Sequence, residues 1–238
     1  MKLYFNGCSH TYGDDLTDPA ISAWPAVISN HYNCDFLNDS ASGGTNDRIM
    51  YRTIKQADQF DKFYIAWTYT SRFTRYRSDN NFDINFNIQL SNTLYSKDPS
   101  FIDYGKIHYA VWHNELYSFK LWLQNIILLQ RFFESIKKPY VMINGAENYI
   151  GKWSVGWDNF NNSVKSLLCF DLMNDEQLYS EHSEIQQLLT QINFDHYIGW
   201  NTRCLTTFLL EYPVGVTNHL LEDGHRATAE YIIKHDTN

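Results

Sequence analysis

Four short apolar runs, Leu3–Asn6, Asp35–Leu37, Phe63–Trp67 and Tyr140–Ile143, alternate with stretches of helical periodicity. This alternation constrains the fold more than any other feature of the 238-residue chain. The run Tyr64-Ile65-Ala66-Trp67 has no polar residue at every second position, as expected of a strand buried on both faces. Parallel strands need a crossover between them, usually a helix. The pattern therefore predicts an α/β fold, a three-layer α/β/α sandwich around a small parallel sheet. Helices are expected over Trp24–Tyr32, Asn46–Ala57 and Asn114–Ile136. In the last of these Leu116, Phe119, Leu123, Ile126, Ile127 and Phe133 recur at helical spacing, and Pro139 prevents continuation. Shorter helices are expected over Phe160–Phe170 and Glu184–Ile192, and a fifth strand at either His196–Trp200 or Val214–Val216. Without internal repeats or a linker, residues 1–238 read as one domain. The polar stretch Ser71–His113 has no strong period and is expected to be an insertion or lid after the third strand.

Hydrophobic residues make up 44% of the chain and aromatics 16%, so a packed core is expected and disorder is not. The net charge of -8 argues against a nucleic-acid partner, which calls for a clustered basic face; the densest run here is Arg72, Arg75 and Arg77. Cys8, Cys34, Cys169 and Cys204 form no Cys-x-x-Cys pair, and free thiols in a reducing compartment are expected. No basic segment followed by a long apolar stretch opens the chain, and its longest apolar run, Ile126–Leu129, is far too short to span a bilayer. A cytoplasmic protein with no membrane partner is the expectation.

The residue types able to do chemistry lie at opposite ends. Ser9 follows the first strand, where ligands bind in open parallel sheets, beyond the carboxyl ends of the strands. Asp223 and His225 lie just before the last helix. A serine hydroxyl is a poor nucleophile at neutral pH; it needs a histidine to take its proton and a carboxylate to hold that histidine. The competing readings are a turn serine, a solvent-facing histidine, an Asp223 that only caps the last helix and an Asn46 that only caps the helix after it. His10 is expected to line the pocket. His219, close to His225 and Glu222, lacks metal-ligand spacing, so no metal is expected. Gly43-Gly44 is not accompanied by a phosphate-loop motif. The default for Trp153 and Trp157 is core packing.

Three segments carry a family resemblance. Gly7-Cys8-Ser9-His10-Thr11-Tyr12-Gly13 resembles the first block of the SGNH (GDSL-type) hydrolases, with Cys8 in place of the usual aspartate. Leu37-Asn38-Asp39-Ser40-Ala41-Ser42-Gly43-Gly44-Thr45-Asn46 resembles the second, and Glu222-Asp223-Gly224-His225 the last. The resemblance implies esterase or acetylesterase chemistry without a cofactor. Ser9 would be nucleophile, His225 general base and Asp223 its orienting acid, with Glu222 the alternative acid. Backbone N–H groups of Ser9 and of Gly43 or Gly44 would hold the oxyanion. The family's third block, Gly-x-Asn-Asp, is missing; Ala66-Trp67-Thr68-Tyr69-Thr70-Ser71-Arg72 stands in its place. Asn46 could substitute for the lost oxyanion amide, and Arg72 could contact substrate. In these two places the chain is similar to compact intracellular and phage-like SGNH-like proteins. The expected substrate is a small-molecule or carbohydrate ester. The rival readings are a catalytically silent SGNH-like module that binds a glycan or protein, and an O-acyltransferase on the same scaffold.

Overall fold

The computed structural model describes residues 1–76, 83–86, 99–146, 175–200 and 203–236. The expectations for Trp153, Trp157, Phe160–Phe170 and Cys169 lie outside these residues. The other three cysteines are free thiols.

The elements are β1 (Lys2–Asn6), α1 (Ser9–Tyr12), α2 (Pro19–Ser22), α3 (Trp24–Tyr32), β2 (Asp35–Asn38), α4 (Asn46–Gln56), β3 (Lys62–Trp67), β4 (Phe73–Tyr76), β5 (Asp83–Phe86), α5 (Pro99–Ile107), α6 (Glu115–Ile136), β6 (Tyr140–Asn144), α7 (Asp175–Leu189), β7 (Tyr197–Ile198) and α8 (Glu222–His235). Five of the strands form one sheet in the order β2-β1-β3-β6-β7, every neighbouring pair parallel. The fifth strand is thus the first of the two candidates. Val214 makes only an isolated bridge to Leu220.

Helices cover both faces, giving three layers. Successive side chains of a strand point to opposite faces. Tyr4, Phe63, Ile65, Trp67, Tyr140 and Met142 accordingly pack with Ile49 of α4, Leu123, Ile126 and Phe133 of α6, and Ile185 of α7. Leu3, Phe5, Tyr64, Ala66, Val141 and Ile143 pack with Trp24 and Ile28 of α3 and Ala229 and Ile232 of α8. Each such side chain contributes roughly 1.5–3 kcal/mol by leaving water. No helix among the described residues is long and apolar enough to cross a membrane.

The helix ends follow local chemistry. The α4 cap is Thr45, whose hydroxyl accepts the Arg48 N–H at 3.2 Å, so Asn46 is the first helical residue and not the cap. Asn114 caps α6 by accepting the Tyr117 N–H at 2.9 Å, and Lys137 ends it in a left-handed conformation. At α8 the cap is Leu221, with no side-chain hydrogen bond; Asp223 lies within the first turn instead.

Residues 71–113 carry more structure than their aperiodic sequence suggested. β4 and β5 pair as an antiparallel hairpin, and α5 runs into a wider π-helical turn over His108–Trp112. The Phe73 ring stacks on His108 at 3.7 Å and the Tyr109 hydroxyl donates to the Ser71 carbonyl at 2.9 Å. Aromatic stacking and hydroxyl pairing, not a helical or strand-like apolar period, hold the described parts of this segment to one another.

Candidate active site

In the order β2-β1-β3 the chain leaves β1 toward one edge and later returns to β1's other side. The crevice at the carboxyl ends of β1 and β3 is the topological switch point, where open parallel sheets bind ligands. A buried polar network fixes the chain's exit there. The Asn6 amide donates to the Tyr4 hydroxyl at 3.0 Å, the Ile49 carbonyl at 3.1 Å and Thr53 Oγ1 at 3.2 Å, while its oxygen accepts the Gly7 N–H at 2.9 Å. The Tyr4 hydroxyl in turn donates to Asp39, which Arg52 grips with two parallel bonds of 3.0 and 2.7 Å.

Ser9 leaves this anchored exit as the first residue of α1, 5% exposed; the helix cap is Cys8. As an opening helical residue, Ser9 has no intrahelical acceptor for its N–H. The β2–α4 loop lies alongside. The Ala41 N–H donates to the Gly7 carbonyl at 3.3 Å, and a Cβ at Gly44 would sit 2.8 Å from that same oxygen, so only glycine permits the approach. The Gly44 N–H is spent on the Ala41 carbonyl at 2.9 Å. Of the two glycine amides suggested for an oxyanion, Gly43 is therefore the one available.

Asn46 and Arg72 act first as clasps. The Asn46 oxygen accepts the Thr68 N–H at 2.8 Å and its amide donates to the Thr68 carbonyl at 3.1 Å, so the expected oxyanion amide is engaged with the loop after β3. Arg72 Nη1 donates to Thr68 Oγ1 at 2.9 Å and to the Gly44 carbonyl at 3.3 Å, joining that loop to the glycine turn.

The two acids singled out with His225 do not reach it. Asp223 is 72% exposed and lies 3.6 Å from Arg226 one turn along, and Glu222 is exposed. The reason is helical geometry: residues two apart on a helix point in different directions, so Asp223 faces solvent while His225 faces inward. The imidazole of His225, 1% exposed, takes a different partner: its Nδ1 accepts the backbone N–H of Trp24 at 3.2 Å. That amide lies in the first turn of α3 and lacks a helical acceptor. With Nδ1 accepting, the ring proton sits on Nε2, which is buried without a partner. In this tautomer Nε2 is a donor and cannot receive a proton from serine.

Another histidine has the opposite arrangement. His219 Nδ1 lies 2.9 Å from Thr217 Oγ1 and 3.8 Å from Asp15 Oδ2. The Asp15 carboxylate can only accept, and a Thr217 hydroxyl that gives its proton to Asp15 offers Nδ1 a lone pair; this arrangement favours a proton on Nδ1, with Nε2 left as a base. The His219 ring lies 4.7 Å from that of His10, the residue following Ser9. Asp15 is itself positioned with care. It adopts a left-handed backbone (φ 70°) and accepts the N–H groups of Thr217 at 2.8 Å and His219 at 3.3 Å. A Cβ at Gly215 would fall 2.4 Å from the Asp15 Cβ, so glycine makes room for this carboxylate. Desolvation pushes the Asp15 carboxyl upward, but the hydrogen bonds from Thr217 and His219 outweigh it and hold the group below the usual range. In the sequence His219 stands out only as a possible metal ligand, and Asp15 does not stand out at all. The Gly-x-Thr-x-His run at 215–219 was visible, but its partner lies some two hundred positions away. Among the described residues no group of three or more metal-ligating side chains occurs.

Burial, followed by the neighbouring His219, lowers His225 from 6.5 to about 4. Burial also dominates at His10, with His219, Arg72 and His225 adding to it, and lowers that group to about 3. Both rings are neutral in the fold, whereas the unfolded chain protonates them below about 6.5. Their contribution is therefore complete above pH 6.5 and is lost as the pH falls toward 4, by about 1.4 kcal/mol per pH unit for each ring. Urea unfolding at pH 7 and pH 5 is expected to show a smaller drop in the His10→Asn/His225→Asn double variant than in the wild type. Equal drops would reject this account.

No protein-family model matches the chain, and no curated protein does. Among solved structures, it is similar to the psychrotrophic esterase EstA from Pseudoalteromonas sp., at 10% identity over 98% of this chain and 94% of that one, TM-score 0.48. A member of the lipolytic protein G-D-S-L family from Veillonella parvula aligns at 14% identity over 100% and 98% of the two chains, TM-score 0.46. The acetyl xylan esterase AlAXEase aligns at 9% identity over 98% of each, TM-score 0.45. Likeness at this level assigns no activity, and the chemistry rests on the residues themselves.

Proposed function

We propose that the protein is a serine esterase in which Ser9 is the nucleophile, His219 the general base and Asp15, through Thr217, the group that holds the base. The observation that carries this reading is the contrast between the surroundings of the two Nδ1 atoms. His219 Nδ1 lies beside a carboxylate, which favours a proton there and an Nε2 free to accept, whereas His225 Nδ1 accepts a backbone N–H, which puts its proton on Nε2.

In the proposed reaction Ser9 Oγ attacks the acyl carbon while its proton passes to His219 Nε2. The carbonyl oxygen takes the electron pair of the former π bond and is held by the N–H groups of Ser9 and Gly43. Collapse breaks the bond to the alcohol oxygen, which leaves with the proton from His219. Water then gives a proton to His219 and its oxygen to the acyl carbon. The acid is released and the proton returns to Ser9. His225 keeps a supporting role, joining α8 to the start of α3. Small acyl esters of polar, ring-bearing alcohols suit the aromatic and amide-rich insertion next to the site.

A fluorophosphonate probe, which needs a base-activated serine, tests the reading. The wild type is expected to be labelled and Ser9→Ala not. No labelling of folded wild type would remove the esterase reading and favour a silent binding module. A burst of hydrolysis relieved only by an added alcohol would favour an acyltransferase.

A further inference from the structure

The chain leaves α1 through two left-handed residues, Gly13 at φ 96° and Asp15 at φ 70°. Glycine enters that region freely, and aspartate more readily than most side chains. The turn sends two successive carboxylates to different places. Asp15 goes to the loop that carries the proposed base, where it accepts the N–H groups of Thr217 and His219. Asp14 goes to the β2–α4 loop, where its Oδ2 accepts the Ser42 hydroxyl. The backbone of Asp14 closes back on the proposed nucleophile: its N–H donates to the Ser9 carbonyl at 3.2 Å, beside that of Gly13 at 2.9 Å. A second tie joins α1 to the end of β2, the Asn38 amide donating to the Thr11 carbonyl at 2.9 Å. Ser9, Ser42 and His219 thus each lie one hydrogen bond from Asp14 or Asp15.

We propose that Asp14 is a positioning residue of the esterase, holding the Gly43 N–H toward the oxyanion by way of the Ser42 hydroxyl. The proposal rests on the esterase reading of Ser9 and His219 and adds to it a residue that acts through another. The Gly43 N–H belongs to the planar peptide that begins at the Ser42 carbonyl, so fixing Ser42 fixes the direction of that N–H. This peptide lies in a turn, outside every strand and helix, and Gly43 is itself left-handed (φ 68°). Neither a β-ladder nor a helical hydrogen bond sets its direction, and the bond from Ser42 to Asp14 supplies the missing hold. An oxyanion donor helps only if it is already aimed where the charge develops. Because Asp14 and Asp15 are consecutive, one turn sets the oxyanion donor and the base against the same serine.

The test uses phenyl acetate as substrate and trifluoroacetophenone as a reversible inhibitor. The ketone carbon of the inhibitor takes up the serine oxygen, so its own oxygen becomes an oxyanion in the place of the transition state's. Asp14→Ala is expected to lower kcat by about 10- to 100-fold with KM little changed, the effect of a misdirected donor. Its inhibition constant is expected to rise by the same factor. Ser42→Ala is expected to match it, and the Asp14→Ala/Ser42→Ala double variant to be no worse than either single one, because all three lose the same bond. Asp14→Asn keeps an acceptor for the hydroxyl and is expected to recover most of the loss. A variant that had only become less stable would lose active protein yet keep its inhibition constant. An unchanged inhibition constant in Asp14→Ala, or losses that add in the double variant, would overturn the proposal alone, provided the fluorophosphonate still labels the wild type at Ser9. A folded wild type that the fluorophosphonate leaves unlabelled would remove both the esterase reading and the role of Asp14 within it.

Discussion

His219→Ala is expected to reduce turnover of an activated acetyl ester by at least about 10³-fold, approaching the loss in Ser9→Ala, because removing either member of a nucleophile–base pair disables both. His225→Ala is expected to lose far less, within about tenfold, and to pay instead in stability. It leaves the Trp24 N–H without an acceptor, a loss of about 1–3 kcal/mol for a buried donor. Measuring kcat alongside a urea midpoint for each variant separates the two histidines. A collapse of kcat in His225→Ala with His219→Ala near wild type would reverse the roles argued from their tautomers. Asp15→Asn keeps the shape of the positioning side chain and removes its charge. Its kcat is expected to fall with KM little changed, since in the proposed mechanism Asp15 acts on the base and not on the substrate.

The second large effect lies at the other end of the sheet. Lys62 opens β3 with its ammonium buried, 2.7 and 2.8 Å from the two oxygens of Asp236, whose side chain is 1% exposed. The Tyr64 hydroxyl also donates to Asp236, at 2.5 Å. Burial, then the bond and charge of Asp236, push the Tyr64 phenol far above its ordinary range, so it remains a donor. This cluster ties the residue following α8 to the central strand. Asp236→Ala removes the carboxylate to which the buried ammonium donates, and a loss of up to about 3–5 kcal/mol is expected. For a chain of this length that corresponds to a fall in Tm of roughly 6–20 °C. Replacing both partners, Lys62→Met with Asp236→Leu, is expected to recover most of the loss, because no charge is then left buried. Thermal unfolding of the single and double variants checks this. An Asp236→Ala protein that melts with the wild type would show that the pair contributes nothing.

The layered architecture was legible in the chain because strands buried on both faces must be continuously apolar, as Phe63–Trp67 is, and because α6 repeats its apolar residues at helical spacing. The placement of Ser9 at the end of β1 followed from the same strand and turn pattern. The described elements within residues 71–113 escaped because they are held by ring stacking such as Phe73 on His108, which leaves no periodic trace. The fifth strand, only Tyr197–Ile198, was too short to be told from a bridge such as that of Val214.

What the sequence by itself determined is therefore the class of fold and the serine at its switch point, both consequences of local periodicity and turn chemistry. What only the tertiary structure decided is which acid and which histidine meet. Neighbours in sequence, Asp223 and His225, are turned apart by the helix they share, while Asp15 and His219 are brought together across the whole chain. Spacing along a helix fixes the directions of side chains, and chain folding fixes contacts between distant loops. Only the first of these can be read without the fold.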